Sequence, residues 1–353
     1  MSYQISDPAE FGWSPYFSSQ LSSEEIVEAL PARVVEVHRN RLRIVGPTLD
    51  TNISPFHSQQ DDEDTSATVG DWLLLDPETQ RPIRLLQRRS VFKRRAPGTD
   101  RKVQLIAANI DTLFIVSSCN QDFNTARLER YLVLAREADV MPVVVLTKAD
   151  LADDPSEFVS AAAKLLPGLL VENIDARDPS EVACLSGWCA RGQTVAVVGS
   201  SGVGKSTLIN TLTGVDEAKT QDIRADDDKG RHTTTGRSFH RLPAGGWLLD
   251  TPGMRELQLT DVQAGIEDVF ADLIELATNC RFADCGHETE PGCAIQAAIE
   301  DDTLEPKRLK HWRKLEAEER YNTESLAERR ARNKSFGKMV KQVMKGKKRN
   351  QQE

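Results

Sequence analysis

Apolar and polar positions alternate through the first third of the chain and then give way to unbroken apolar runs. Arg33–Val45, RVVEVHRNRLRIV, alternates on either side of His38-Arg39-Asn40-Arg41 and predicts a hairpin. Val69–Leu75, Ile83–Leu86 and Val91–Phe92 are further short strands. Roughly five strands in ~65 residues have the density of a small β barrel. Between them Gly46–Thr68, with its acidic QQDDEDT, reads as a loop, and residues 1–31 read as a polar, partly ordered extension. Further on, Thr112–Ser118, Met141–Leu146, Leu169–Val171, Val195–Val198 and Trp247–Leu249 are short apolar runs of the kind that forms buried strands. Thr125–Ala138 is an amphipathic helix with Leu128, Leu132 and Ala135 on one face, and Ser180–Arg191 and Ser206–Leu212 are helical as well. From Leu304 the pattern is helical and strongly basic. The expected fold is multidomain: an N-terminal extension (1–31), a small β barrel (32–95), an α/β domain (96–256) and a helical C-terminal domain with a basic tail (257–353).

The run Val195–Thr207, VAVVGSSGVGKST, places chemistry on this frame. Gly199, Gly204, Lys205 and Ser206 stand in the order G-x-x-x-x-G-K-S, between a strand and a helix, which is the phosphate-binding loop pattern. The glycines let the backbone wrap so that its N–H groups point at phosphate oxygens. Gly199, Ser200, Ser201, Gly202, Val203, Gly204, Lys205, Ser206 and Thr207 are the candidate phosphate contacts. Lys205 reaches the β/γ-phosphates and the Ser206 hydroxyl ligates Mg²⁺.

Two more stretches fit a nucleotide site. The strand Trp247–Leu249 ends in Asp250-Thr251-Pro252-Gly253, a D-x-x-G in which Asp250 holds the Mg²⁺ shell and the Gly253 N–H senses a γ-phosphate. The strand Met141–Leu146 ends in Thr147-Lys148-Ala149-Asp150, which resembles the guanine-reading N-K-x-D of GTPases. The Asp150 carboxylate accepts from the N1–H and 2-amino group of guanine, and adenine offers neither donor. Thr147 replaces the usual Asn and gives up one base contact; Asp175-Ala176 loosely matches the Ser-Ala loop that touches guanine O6. The polar stretch Asp216–Arg237 contains GRHTTT, and Thr234 is the candidate that completes the Mg²⁺ shell in the triphosphate state. Met254 follows Gly253 where many GTPases carry a water-orienting Gln, which leaves His232 as the local candidate for that task. The base-reading motif precedes the phosphate loop, the reverse of the ordinary order, so the chain resembles a circularly permuted GTPase.

At 39% hydrophobic and 28% charged residues the composition is that of a soluble globular protein. No apolar run approaches the ~18 residues of a membrane span, and the N-terminus lacks a signal pattern. A cytoplasmic location without membrane contact is therefore expected, with the six cysteines reduced or metal-bound. Cys280, Cys285, His287 and Cys293 form a complete tetrahedral set, C-x4-C-x-H-x5-C, which predicts one structural Zn²⁺ per chain. Cys119, Cys184 and Cys189 read as small core residues. Residues 307–349 hold 16 Lys and Arg against 5 Asp and Glu in a chain of formal net charge −9. With Arg88, Arg89, Lys93, Arg94, Arg95, Arg101 and Lys102 at the barrel's exit, this asymmetry predicts a polyanionic partner.

The permuted motifs, the preceding barrel, the Cys/His spacing, GRHTTT and DTPGMRE (250–256) together resemble the ribosome small subunit-dependent GTPase A family, RsgA or YjeQ, over roughly residues 30–330. The resemblance implies an OB-fold, a permuted GTPase domain and a zinc-binding helical domain. It also implies late maturation of the 30S subunit, 16S rRNA contacts and ribosome-stimulated GTP hydrolysis; a monomer is expected. Two other readings compete: an rRNA-binding scaffold whose nucleotide site is structural and turns over slowly, and a P-loop kinase acting on a small molecule. Intact Lys205, Ser206 and Asp250 favour hydrolysis over the scaffold, and Asp150 disfavours the kinase.

Overall fold

The computed structural model describes residues 7–38, 40–56, 66–95, 103–214, 237–250 and 261–323. After a 3-10 turn (Pro8–Phe11) and two short helices, α1 (Pro15–Ser18) and α2 (Ser23–Glu28), come five strands: β1 (Leu30–His38), β2 (Arg41–Gly46), β3 (Leu49–Ile53), β4 (Trp72–Leu75) and β5 (Pro82–Leu85). They pair antiparallel in the order β5-β4-β1-β2-β3. Leu30–Arg33 of β1 pairs with β4 and Arg33–His38 with β2, with a register shift between Val34 and Glu36. Such an irregularity bends the strand, which lets one strand serve two neighbours in a curled, OB-type barrel. Ala32, Val34, Leu42, Ile44, Leu73 and Leu75 form one apolar core, while Val35, Val45, Trp72 and Leu74 on the other face join the main core. The barrel is thus packed against the rest of the chain.

Two expectations change here. Gly46–Thr68 contains β3, whose Asp50 takes a two-pronged bond from Arg43 of β2 at 2.8 and 2.9 Å. Asp and Asn are poor strand formers, and they mask an alternation that pairing rescues. Val91–Phe92 belongs to β6 (Val91–Arg95), which pairs with β7 (Val103–Ala108) as a separate two-stranded hairpin.

The α/β domain is built on parallel strands β8 (Thr112–Ser118), β9 (Met141–Thr147), β10 (Leu170–Asn173), β11 (Thr194–Gly199) and β13 (Trp247–Asp250), with β12 (Arg237–Arg241) antiparallel to β13. The order is β10-β9-β8-β11-β13-β12. Central β8 is buried at every position, which explains its unbroken apolar run. Helices α3 (Thr125–Glu137), α4 (Pro155–Ala163), α5 (Pro179–Val182) and α6 (Lys205–Thr213) connect the strands. The single helix expected over Ser180–Arg191 is instead α5 followed by a 3-10 segment, Ala183–Gly187. The chain must then turn so that Gly246 can donate to the Cys189 carbonyl and Ala190 can bridge Gly245. Cys119 and Cys189 are buried and Cys184 is exposed, so only two of these three are core residues. Burial pushes the Cys119 thiol up to about 11 and the Cys189 thiol to about 12.

Helices α7 (Gln263–Val269), α8 (Ala271–Thr278), α9 (Ala294–Glu300) and α10 (Pro306–Thr323) form the C-terminal domain. It docks on α3. A Cβ at Gly265 would come within 2.3 Å of the Val133 carbonyl, so the close approach of α7 requires glycine. Glu129 of α3, 1% exposed, takes Arg308 Nη1 at 2.9 Å and His311 Nδ1 at 2.6 Å from α10. Burial raises the Glu129 pKa, and its bonds from His311 and Arg308 oppose that shift. Arg130–Glu318 and Arg136–Asp268 pairs, at 2.5 and 2.7 Å, flank this contact. No helix among the described residues is long and apolar enough to cross a membrane.

The barrel joins the α/β sheet directly. β1 pairs antiparallel with β12 through Glu36↔Ser238 and Val37↔Arg237, making one sheet of eleven strands. From residue 7 the N-terminal segment straps the seam and is not loosely ordered as expected. Phe11 stacks on Trp247 at 5.7 Å, Trp247 Nε1 donates to Glu10 O at 2.7 Å, and Trp13 meets Trp72 edge-on at 4.8 Å. The few aromatics in a polar stretch decide its order, because each buries a large apolar area. At the centre lies Arg33, 2% exposed. Its guanidinium donates to Phe11 O at 2.5 Å, Asn109 O at 3.1 Å and Thr194 Oγ1 at 2.9 Å, and it lies 4.8 Å from the centre of the Phe239 ring. Burial, reinforced by nearby Arg89, pulls its pKa down to about 9. Arg33→Met removes three donors from buried acceptors and should cost about 3 kcal/mol or more. Urea unfolding should show a lower midpoint; a loss under about 0.5 kcal/mol would mean the seam holds without it.

Candidate functional site

The parallel strands end together, and their C-terminal ends carry the predicted motifs to one edge of the sheet, where α/β sheets bind ligands. At the end of β11, Gly199 has φ 145° and a Cβ there would lie 2.2 Å from the Val116 carbonyl. Gly204, at φ 90°, caps α6, whose first N–H groups face the loop. Ser200, Ser201, Gly202, Val203, Ser206 and Thr207 complete the phosphate loop and the first turn of α6, with Val203 buried beneath it. Lys205 is buried at the start of α6. It is 7% exposed and its Nζ donates to the Ser200 carbonyl. In this arrangement the ammonium closes the loop on itself and lies where a phosphate would draw it.

Thr147 behaves differently from a base contact. It is 0% exposed, and its Oγ1 lies 2.6 Å from Val203 O and 3.2 Å from Ser117 O. The hydroxyl has one proton, and the shorter contact takes it. Thr147 therefore ties the end of β9 to the phosphate loop. Lys148 adopts φ 58° and Ala149–Leu151 form one 3-10 turn, which turns Asp150 toward the edge of the site.

Sequence reasoning missed two arginines. Arg127, in the first turn of α3, donates to Ser200 Oγ. Arg177 Nη2 donates to Asp150 Oδ2 at 2.6 Å and to Asp175 Oδ2 at 2.9 Å. The loop Asn173-Ile174-Asp175-Ala176 lies beside this pair, and the Ala176 carbonyl accepts from Thr211 Oγ1 of α6 at 2.7 Å. Bonding from Arg177 holds the Asp175 carboxyl below the usual range. Asp250 ends β13, its backbone paired with Ser238 of β12. His232, Thr234, Gly253 and Met254 lie outside the described residues.

A second site lies between α8 and α9. Cys280, Cys285, His287 and Cys293 bring one donor atom each within 4.8 Å of one another. His287 Nδ1 is 3.5 Å from the sulfurs of both Cys280 and Cys293, which are 3.9 Å apart. A tetrahedron with ~2.3 Å metal–sulfur bonds has edges of about 3.8 Å, so the cluster fits one metal ion. The Gln296 side chain bonds the His287 carbonyl at 2.5 Å and the Trp312 ring lies 5.9 Å from the imidazole, fixing its place.

The basic run at the barrel's exit is largely spent inside the molecule. Arg88 grips buried Asp71 at 2.8 and 2.9 Å, Arg89 pairs with Asp111, Lys93 with Asp261 at 3.6 Å, and Arg94 bonds Gln104 at 3.0 Å. Arg88, held by buried Asp71, is therefore structural, while Arg89 and Lys93 make exposed pairs; Arg101 and Lys102 lie outside the described residues.

Thr147→Val keeps the shape and deletes the bond to Val203. One neutral hydrogen bond is worth about 1 kcal/mol, so nucleotide affinity should fall roughly five-fold by titration calorimetry. Unchanged affinity would show that the phosphate loop holds its form alone.

Residues 85–260 match the family model described as RsgA GTPase. The chain is 50% identical over 343 residues to "Small ribosomal subunit biogenesis GTPase RsgA 2" of Vibrio parahaemolyticus, covering 97% of this chain and 94% of that one. It is also 50% identical over 318 residues to "Small ribosomal subunit biogenesis GTPase RsgA" of Mesorhizobium japonicum, covering 89% and 90%. Among solved structures it resembles YjeQ from Thermotoga maritima, with a TM-score of 0.58 at 22% identity over 81% of this chain and 97% of that one. It also resembles YloQ, described as a circularly permuted GTPase, with a TM-score of 0.56 at 22% identity over 86% and 100%. The likeness to these two concerns the fold. With the identity to its relatives spanning nearly the whole length, the chain belongs to the RsgA GTPase family.

Proposed function

We propose that this protein hydrolyses GTP to GDP and phosphate on the small ribosomal subunit, binding 16S rRNA and assisting late maturation of that subunit. The reading is carried by the joining of Gly199–Thr207 to Thr147–Asp150 through the Thr147–Val203 bond, in a chain half identical to small ribosomal subunit biogenesis GTPases. In this reading the loop from Gly199 to Thr207 holds the phosphates and Lys205 neutralises the β/γ oxygens. Ser206 and Thr234 ligate Mg²⁺, Asp250 supports its shell and Gly253 senses the γ-phosphate. Lys148, Ala149 and Asp150 cradle the base, with Thr147 behind them, and His232 orients the attacking water. Domain limits are set at 32–95, 96–256 and 257–353. The protein acts as a cytoplasmic monomer.

Hydrolysis should be slow alone and faster with 30S subunits, since Met254 cannot orient water. Single-turnover GTP hydrolysis with and without subunits tests this, and ATP should compete at least about ten-fold less well than GTP. Lys205→Ala should reduce turnover by orders of magnitude. Because Lys205 is buried on the Ser200 carbonyl, the variant's fold is checked by circular dichroism. Absent stimulation and negligible turnover would favour the scaffold reading.

The metal is zinc in this reading, bound structurally at Cys280, Cys285, His287 and Cys293. One zinc per chain should co-purify, and Cys285→Ser should lose it and loosen α8–α9 while nucleotide binding persists. Metal analysis beside GDP titration checks both; a metal-free protein with intact α8–α9 would remove zinc from the account.

A further inference from the structure

The carboxylate that would read guanine does not stand alone. Arg177 Nη2 touches Asp150 Oδ2 at 2.6 Å and Asp175 Oδ2 at 2.9 Å, so two acids share one nitrogen. The same arginine adds Nε contacts to Asp175 at 3.0 and 3.3 Å, and its own backbone N–H donates to Asp175 Oδ1 at 2.9 Å. A third acid, Glu181 of α5, accepts the Asp175 N–H at 2.7 Å. Lys148 stands two residues before Asp150 in the same turn. Asp150 and Asp175 thus meet at one guanidinium, their shared counterion, with Glu181 bonded to the Asp175 backbone.

Asp150 must be ionised and fixed in direction to accept two N–H donors from a purine edge. Asp150 and Asp175 repel one another once the cation is removed. Each carboxylate oxygen has two acceptor sites, so Oδ2 can hold Arg177 and a base donor together. A planar guanidinium anchored by several bonds to Asp175 is stiff, unlike a lysine ammonium.

We propose that Arg177 is the positioning residue for guanine recognition: it bridges Asp175 to Asp150, keeps the Asp150 carboxylate aimed, and remains bonded to it when the base is bound. The ligand class is a guanine nucleotide, and the inference rests on the guanine reading of Asp150 given above. Arg177 acts through Asp150 and takes no part in hydrolysis.

The test is equilibrium binding of GDP and ADP, with the label on the ribose, to the full-length chain and its variants. Arg177→Ala should weaken GDP about ten-fold and leave ADP nearly unchanged, because only the carboxylate contact is disturbed. Arg177→Lys should fall between the two. Asp175→Ser combined with Arg177→Ala removes the repulsion together with the cation and should recover most of the affinity. In an Asp150→Asn background, Arg177→Ala should have no further effect. Unchanged or tighter GDP binding by Arg177→Ala, or no rescue by Asp175→Ser, would overturn the proposal while the guanine reading stands. A wild type that binds ADP as well as GDP would overturn both.

Discussion

The seam at Arg33 is the constraint on which the architecture depends. A guanidinium sealed from water is costly unless its donors are used, and here Nη1 and Nη2 reach three different parts of the chain, the strap at Phe11, the hairpin's exit at Asn109 and strand β11 at Thr194, while buried Nε has no partner. Around it, β1 of the barrel pairs with β12 of the nucleotide domain. The barrel is therefore an extension of the nucleotide-binding sheet. β12 begins at Arg237, directly after the stretch that holds the threonine run, and pairs with the strand that ends in Asp250. A barrel fixed at this edge shares backbone hydrogen bonds with β12, the strand that follows the threonine run and pairs with β13.

Helix α3 does the corresponding work on the other flank. Within two turns it presents Arg127 to the phosphate loop and Glu129 and Arg130 to α10. Glu129 is buried, so its contacts to Arg308 and His311 fix the helical domain's orientation more firmly than exposed pairs would. The nucleotide site thus lies between a barrel held through β12 and a helical domain held through α3. A partner that seats both flanking domains can bias the site between them without touching it.

Much of this was legible in the sequence for a physical reason. The phosphate loop, β8, β9 and the Cys/His cluster are local patterns, in which a few neighbouring residues determine the geometry. What stayed hidden depends on distant partners. β3 alternates only weakly because Asp50 and Asn52 oppose strand propensity, and Arg43 supplies the compensation from across the sheet. The strap reads as polar because its order rests on Phe11, Phe17 and Trp13, whose partners lie far along the chain. Arg33 and Arg88 look like any surface arginine until the acceptors that enclose them are assembled. Thr147 looked like a weakened base contact because its bond to Val203 spans 56 residues.

Charge is distributed by the same logic. The basic run after the barrel suggests a polyanion surface, yet Arg88, Arg89, Lys93 and Arg94 each engage a residue of this chain. An internal pair offers little to a phosphate backbone, because the counterion it would release is a tethered carboxylate. Residues 307–349 hold a second concentration of positive charge, 16 Lys and Arg. Part of that run is α10, whose Arg308 is itself committed to Glu129 and Asp272. The helix uses one such residue to grip α3 and leaves others, Lys310 and Lys314 among them, with no ion pair among the described contacts. One element thereby carries both the attachment to the nucleotide domain and charge suited to a polyanion, which is the arrangement needed for binding at one to be felt at the other.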